Sequence, residues 1–414
     1  MNQARRREII SWCLFDSGQS AFSTIIVTFV FSAYFAKMVA PSEVQGISDF
    51  GWALSFSGLL VAIISPFLGA IADHTSKKKP WIFTFTLLGI CATASLFFVQ
   101  PSSKFLFLAL GLFVLANTIV EMTQVFYNAY LPILAPQRKI GAISGFGWGS
   151  GYIGGLFALV IALALFVQAH FISHENSLNI RSTMLLAAGW MFLFCAPFFI
   201  FVKDHYFLQK SEKHVVQSGI KNVFTTIKAA RKHKEMFRFL IARLLYTDGI
   251  NTLLSLGGVF AAIIFDMPFE ELLMFGISMN ISAGFGAFVL AKFDDKIGSA
   301  KMILLTLVAI IVFGMGIIVT RDKMIFWLIA LILGLFIGPV QAASRSFMAH
   351  LAPKKMMTQM FGLYALSGKV TSFIAPFFVA TITRITHSER LGMSAVFVLM
   401  AIGAIILLPI IKRK

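Results

Sequence analysis

Charge is scarce in this chain. Only 13% of its 414 residues are Asp, Glu, Lys or Arg, against 58% that are hydrophobic. A soluble globule needs more polar surface than that to cover its core, so a water-soluble fold is excluded. Cysteine is scarce too: Cys13, Cys91 and Cys195 are the only three, and each falls within an apolar run. They offer neither a disulfide framework nor metal-ligand spacing. There is no glycine-rich phosphate loop, so nothing points to a nucleotide or other cofactor. The eight His form no ligand pair and no nucleophile sits beside a base, which argues against an intramembrane enzyme. Acids are half as common as bases, 18 against 35, and the net charge is +17. A nucleic-acid partner would require the bases on one surface. They lie instead in short tracts between apolar runs: Arg5-Arg6-Arg7, Lys77-Lys78-Lys79, Arg138-Lys139, Lys354-Lys355 and Lys412-Arg413-Lys414.

What the chain has in abundance is apolar runs of about twenty residues, the length that crosses a hydrocarbon core. Twelve spans are predicted, at about 11–38, 50–72, 80–100, 105–134, 140–168, 181–203, 237–265, 271–292, 300–320, 324–350, 358–384 and 391–411. With the N-terminus inside, about 25 of the 35 Lys and Arg fall in cytoplasmic segments and about seven in outer ones, the asymmetry that orients membrane proteins. Both termini are therefore expected in the cytoplasm. The basic start runs into a long apolar span without a small-residue cleavage site, so a retained first helix is expected. Between the sixth and seventh spans, about 203–236 places Val216, Ile220, Val223, Phe224 and Ile227 at helical spacing among lysines and arginines. This predicts a basic amphipathic linker helix on the inner membrane surface.

The chain repeats itself. At an offset of 217 residues, Leu134-Ala135-Pro136 falls on Leu351-Ala352-Pro353, Gln124 on Gln341, Gly145 on Gly362, and Ser150-Gly151 on Ser367-Gly368. Gly69-Ala70 falls on Gly286-Ala287 at the same offset. Leu14-Phe15-Asp16-Ser17-Gly18 also matches Leu245-Tyr246-Thr247-Asp248-Gly249 in kind. Two parallel six-span bundles follow, 1–203 and 237–414, joined by the linker 204–236.

The loop after the second span reads Gly69-Ala70-Ile71-Ala72-Asp73-His74-Thr75-Ser76-Lys77-Lys78-Lys79, with a weaker counterpart from Gly286 to Asp294-Asp295-Lys296. It resembles the major-facilitator signature, although the glycine usual between the acid and the basic run is missing. The resemblance implies a conformational latch made by Asp73, Lys77, Lys78, Lys79, Asp294 and Asp295. Further stretches are similar to one branch of that superfamily: Phe126-Tyr127-Asn128-Ala129-Tyr130-Leu131-Pro132, Ser144-Gly145-Phe146-Gly147-Trp148-Gly149, Ala242 to Asn251, and Val340-Gln341-Ala342-Ala343-Ser344-Arg345-Ser346. This branch is the "unknown major facilitator" family, related to the fungal vacuolar amino-acid effluxer associated with autophagy. An all-α membrane protein of major facilitator fold is implied.

Ionisable groups within spans are costly, about 2.5–3.5 kcal/mol each at a helix centre, and so face cavities or partners. Six stand out: Asp16, Glu121, Arg243, Asp248, Arg345 and Lys369. In the fourth span Asn117, Glu121, Gln124 and Asn128 recur at helical spacing as one inward polar stripe. Glu121 suits either proton coupling or an interhelical salt bridge with an arginine. Gln341, Ser344 and Arg345 occupy the matching part of the tenth span, where the guanidinium suits anion capture or a gate ion pair. Lys369, with Tyr364 a turn earlier, is expected to face the pathway. Asp16, Gln19 and Ser20 answer Asp248, Asn251 and Thr252 as gate or binding groups. Arg243, about one turn into its span, is expected to reach back to the headgroups. The glycines from Gly145 to Gly155 predict close helix contact, and Pro66, Pro132, Pro339 and Pro376 predict bends. Together these features predict a monomeric secondary transporter in a bacterial inner membrane. It would move a small polar or zwitterionic solute together with protons. Export of amphipathic compounds is the competing expectation.

Overall fold

In a bilayer every backbone N–H and C=O must be paired within the chain, so apolar runs of this length become helices. The computed structural model describes residues 3–75, 78–167, 172–203, 233–371 and 374–411. Eleven helical rods among the described residues are long and apolar enough to cross a membrane. They are α1 (Gln3–Val39), α2 (Gln45–Asp73), α3 (Lys79–Phe98), α4 (Ser103–Leu134), α5 (Gln137–Val167) and α6 (Glu175–Phe201), followed by α8 (Met274–Ile297), α9 (Ser299–Val319), α10 (Lys323–Leu351), α11 (Met357–Thr386) and α12 (Glu389–Ile411). The polar-rich α7 (Lys234–Phe265) completes the twelve. The expected linker helix lies outside the described residues over 204–232.

α1 starts earlier than its apolar run predicts, because Arg5 anchors an extra turn by donating to the Leu134 carbonyl at 3.1 Å. Farther along, α1 passes into wider π-helical turns at Phe22–Phe29 and Phe35–Val39. Pro132 marks the end of the main α4 helix at Asn128, followed by a separate short turn Leu131–Leu134. α11 is interrupted between Lys369 and Ile374, with Pro376 just beyond the break. Pro66 and Pro339 sit inside continuous helices.

Within the first half α1 packs on α5 and α6, and α4 on α2 and α3; within the second, α7 packs on α12, and α10 on α8 and α9. The halves meet chiefly through α2 against α11 and α5 against α8. The α5 glycines make this possible. A side chain at Gly145 would run into Ala291, and one at Gly149 into the Phe288 ring, while Gly154 lies against the Ser17 backbone of α1. The text match between Gly69-Ala70 and Gly286-Ala287 is not a structural equivalence: Gly69 abuts Thr358 and Gln359 of α11, whereas Gly286 abuts Leu335 of α10.

Both ends of the first half reach one face, where Lys203 donates its backbone N–H to Glu8. Near that terminal face a single apolar core runs through both halves, joining Trp12, Phe15, Tyr127 and Phe198 to Phe239, Phe347 and Phe361. Toward the opposite face the first half keeps a separate core of its own, around Phe22, Phe31, Phe35, Phe50 and Phe113. The space between the halves is a cavity.

Candidate functional site

The cavity holds about 570 Å3 and is lined from α1, α4, α5, α7, α8, α10 and α11. Along α1 the lining residues run from Asp16 to Phe29, about 20 Å of helix at 1.5 Å per residue. Asp16 and Arg345 form the end nearest the terminal face. The nearly enclosed Asp16–Arg345 pair closes that end.

Arg345 is almost wholly enclosed there. Its Nη1 donates to Asp16 Oδ2 at 2.9 Å and to Asn128 Oδ1 at 3.3 Å. Its Nε donates to Ser144 Oγ at 3.0 Å and its Nη2 to the Ser144 carbonyl at 2.6 Å. The guanidinium also lies 4.7 Å from the Trp12 ring centroid. All of these partners belong to the first half, and the two side chains of the ion pair are only 3% and 11% exposed. A planar fork with its donors so occupied is a clasp between the halves rather than a free ligand site.

Higher in the cavity, Lys369 Nζ donates to Glu121 Oε1 at 2.9 Å, again from second half to first. These side chains keep 29% and 33% of their surface accessible. The salt-bridge partner of Glu121 is thus the α11 lysine and not an arginine. Gln124, Gln341, Asn251, Gln19 and Tyr364 complete the polar wall, and Gln341 donates to the Tyr152 hydroxyl at 3.4 Å.

Two nominated residues lie elsewhere. Asn117 continues the α4 stripe in sequence but is buried against α2, where it donates to Ser57 Oγ at 2.7 Å. Asp248 accepts from the Ala375 N–H at 2.8 Å and so caps the resumed helix of α11. Its carboxylate stabilises a break and is not at the cavity wall. Arg243 also departs from expectation. It does not reach back to the headgroups; it lines the cavity, its Nη1 donating to the Tyr364 carbonyl at 2.5 Å and to Ser367 Oγ at 2.8 Å. The signal that could have placed it is the nearby aromatic and hydroxyl pair on α11. Ser20 lines the cavity beside Asp16 and Gln19, while Thr24 and Thr28 were missed, although their four-residue spacing from Asp16 and Ser20 marks a cavity face.

At the terminal face two carboxylates join the halves. Asp73 accepts from the N–H groups of Thr358 (3.0 Å) and Gln359 (2.8 Å), at the start of α11. Asp295 accepts from those of Gly141 (2.7 Å) and Ala142 (2.9 Å), at the start of the α5 helix. The donors are related by the 217-residue offset, so the caps are repeat mates. Asp294 instead accepts from Ser346 Oγ within the second half, at 2.5 Å. Lys78 pairs with Asp73 at 3.4 Å, but Lys79 donates to the Val202 carbonyl inside its own half. Lys77 lies outside the described residues. Asp73 and Asp295 thus each cap a helix of the opposite half at the junction.

The family described as "Vacuole effluxer Atg22 like" matches residues 41–414. The chain belongs to that family. It is similar to the MFS-type transporter YxiO of Bacillus subtilis (strain 168), 28% identical over 402 residues covering 96% of this chain and 93% of that protein. Autophagy-related protein 22 of Saccharomyces cerevisiae (strain ATCC 204508 / S288c) is 21% identical, covering 85% of this chain and 76% of its own. The fold matches the MFS proton:xylose symporter XylE with a TM-score of 0.74 at 11% identity, over 98% and 96% of the two chains. It matches the transporter FucP in an outward conformation with a TM-score of 0.75 at 11% identity, over 98% and 99%. This Atg22-like chain is a multi-pass membrane transporter of the major facilitator superfamily, with twelve helices in two parallel six-helix repeats, and not an enzyme.

Proposed function

We propose that this transporter moves a small polar or zwitterionic solute, an amino acid or organic anion, by alternating access coupled to protons. The observation that carries the reading is the accessible Glu121–Lys369 pair, one charge from each half at 2.9 Å inside the cavity. A zwitterion can replace both partners, its ammonium on Glu121 and its carboxylate on Lys369, and in doing so substitutes solute contacts for the bridge. Glu121 is the carboxylate assigned to the coupled proton. The basic tracts favour a cytoplasmic terminal face in a bacterial inner membrane, so the cavity described here opens outward. Rocking the halves would then release the Asp73 and Asp295 caps and the Asp16–Arg345 clasp. The chain acts as a monomer in this scheme.

A second reading, export of an amphipathic compound, draws on an apolar pocket of about 140 Å3 that shares Leu254, Met279 and Ile337 with the cavity wall. Uptake into proteoliposomes with imposed pH gradients separates the two. Saturable flux of amino acids or organic anions that collapses in Glu121→Gln and weakens in Lys369→Ala is the expected result. Gradient-driven flux unchanged in Glu121→Gln would remove the proton assignment, and flux of amphipathic dyes alone would favour the second reading.

A further inference from the structure

The acidic and basic side chains lining the cavity do not balance in number. Two acids, Asp16 and Glu121, face three bases, Arg243, Arg345 and Lys369. Asp16 is taken by Arg345 and Glu121 by Lys369. Arg243 is left with no carboxylate among the described residues. Its Nη1 is held by the Tyr364 carbonyl and Ser367 Oγ, and its guanidinium carbon lies 3.5 Å from the Tyr364 ring centroid. These partners orient the group without neutralising it. Its Nε is buried with no acceptor among the described residues.

The repeat sharpens the point. Gly151 and Gly368 are mates at the 217-residue offset, and each leaves space for a side chain from the neighbouring helix. Beside Gly151 that space holds the neutral Ser20 hydroxyl, 2.8 Å from where a Cβ would sit. Beside Gly368 it holds the Arg243 guanidinium, with Nη1 at 2.9 Å and Nη2 at 3.2 Å. The second half thus uses the same glycine niche to seat a full charge at the cavity wall. An uncompensated cation within a membrane span is costly, and a bound anion removes that cost.

Resting on the transporter reading above, we infer that Arg243 is an anion-binding residue of the cavity, acting together with Lys369. The solute it receives carries a carboxylate or a similar planar anion, engaged by the guanidinium beside Gly368. Lys369 shares that anion, while Glu121 takes the ammonium of a zwitterion.

The test is ligand-induced thermal stabilisation of the purified full-length protein by the amino acids and the small hydroxy and dicarboxylic acids, each paired with its amide. At least one carboxylate should stabilise the protein where its amide does not. That preference should fall on the order of tenfold to a hundredfold in Arg243→Gln, the range for a charge-assisted hydrogen-bonded pair. Arg243→Lys, which keeps the charge but loses the fork, should retain an intermediate preference. Gly368→Ala should lower it with the arginine still present. Each ratio is measured within one protein sample, so a less stable variant still reports. No carboxylate outperforming its amide in the unaltered protein, or undiminished preference in Arg243→Gln, overturns the assignment. Gradient-driven uptake of a solute lacking any anionic group would overturn it too, while leaving proton-coupled transport of a small polar solute intact.

Discussion

Two ion pairs cross between the halves at the same 2.9 Å separation, yet their surroundings differ completely. Asp16–Arg345 is shut away from water with Asn128 and Ser144 satisfying the remaining donors. Glu121–Lys369 stands in the cavity with about a third of each side chain accessible. Distance alone does not decide what an ion pair does. The enclosed pair is expensive to break because either partner left behind is a buried charge, whereas the accessible pair exchanges its partner for water or solute at little cost.

The largest effect should come from breaking the enclosed pair on one side. Arg345→Ala should cost the closed terminal face about 3–5 kcal/mol, the range for removing one partner of a buried pair. Distances between spin labels on the α5 and α8 ends should lengthen accordingly, and unchanged distances would refute the clasp. The double neutral variant Asp16→Asn with Arg345→Gln should lose less than the two single changes together, since no lone charge remains. Next come the caps. Asp73→Asn and Asp295→Asn should each weaken the junction by about 0.5–2 kcal/mol, the range for losing a helix cap. Their effects on label distances should add, because the two sites are separate. The accessible pair should contribute least to folding, with Lys369→Ala changing thermal stability by about 1 kcal/mol or less while impairing transport. A third pair calibrates the scale. Lys323, by its hydrogen bond, holds the Glu271 carboxyl below the usual carboxylate range, with a further hydrogen bond from Trp327. The stabilisation it gives is present above the ordinary carboxylate pKa and is lost as pH falls through the lowered folded value. Lys323→Met should move the Glu271 titration, read by carboxyl NMR, up toward the usual carboxylate range, with at most a small loss of stability at neutral pH.

The twelve spans and the duplicated halves were legible in the chain because the bilayer imposes length and polarity on every crossing segment. The cavity wall was partly legible for the same reason: Glu121, Gln124, Asn128, Gln341, Arg345 and Lys369 are polar where polarity is costly. Spacing along one helix tells which face is polar but not what covers it. Asn117 shares a stripe with Glu121, yet α2 brings Ser57 to it and removes it from the cavity. Depth along a helix likewise misplaced Arg243, since a ring and a carbonyl on α11 offer nearer partners than the headgroups. Asp248 looked like a binding acid because the break in α11 that it caps is set by tertiary structure. The pairing of Gly69-Ala70 with Gly286-Ala287 failed because one offset cannot describe helices whose connecting loops differ in length.

Asn128 and Arg345 are repeat mates, 217 residues apart, and they touch. Only positions close to the axis relating the halves can meet their own counterparts. In a homodimer of identical six-helix chains such a position would confront itself, asparagine with asparagine or guanidinium with guanidinium. Joining the two copies in one polypeptide lifts that constraint and permits an unlike pair on the axis. The single covalent chain is therefore what allows a charged clasp at the one place where perfect symmetry would have produced repulsion.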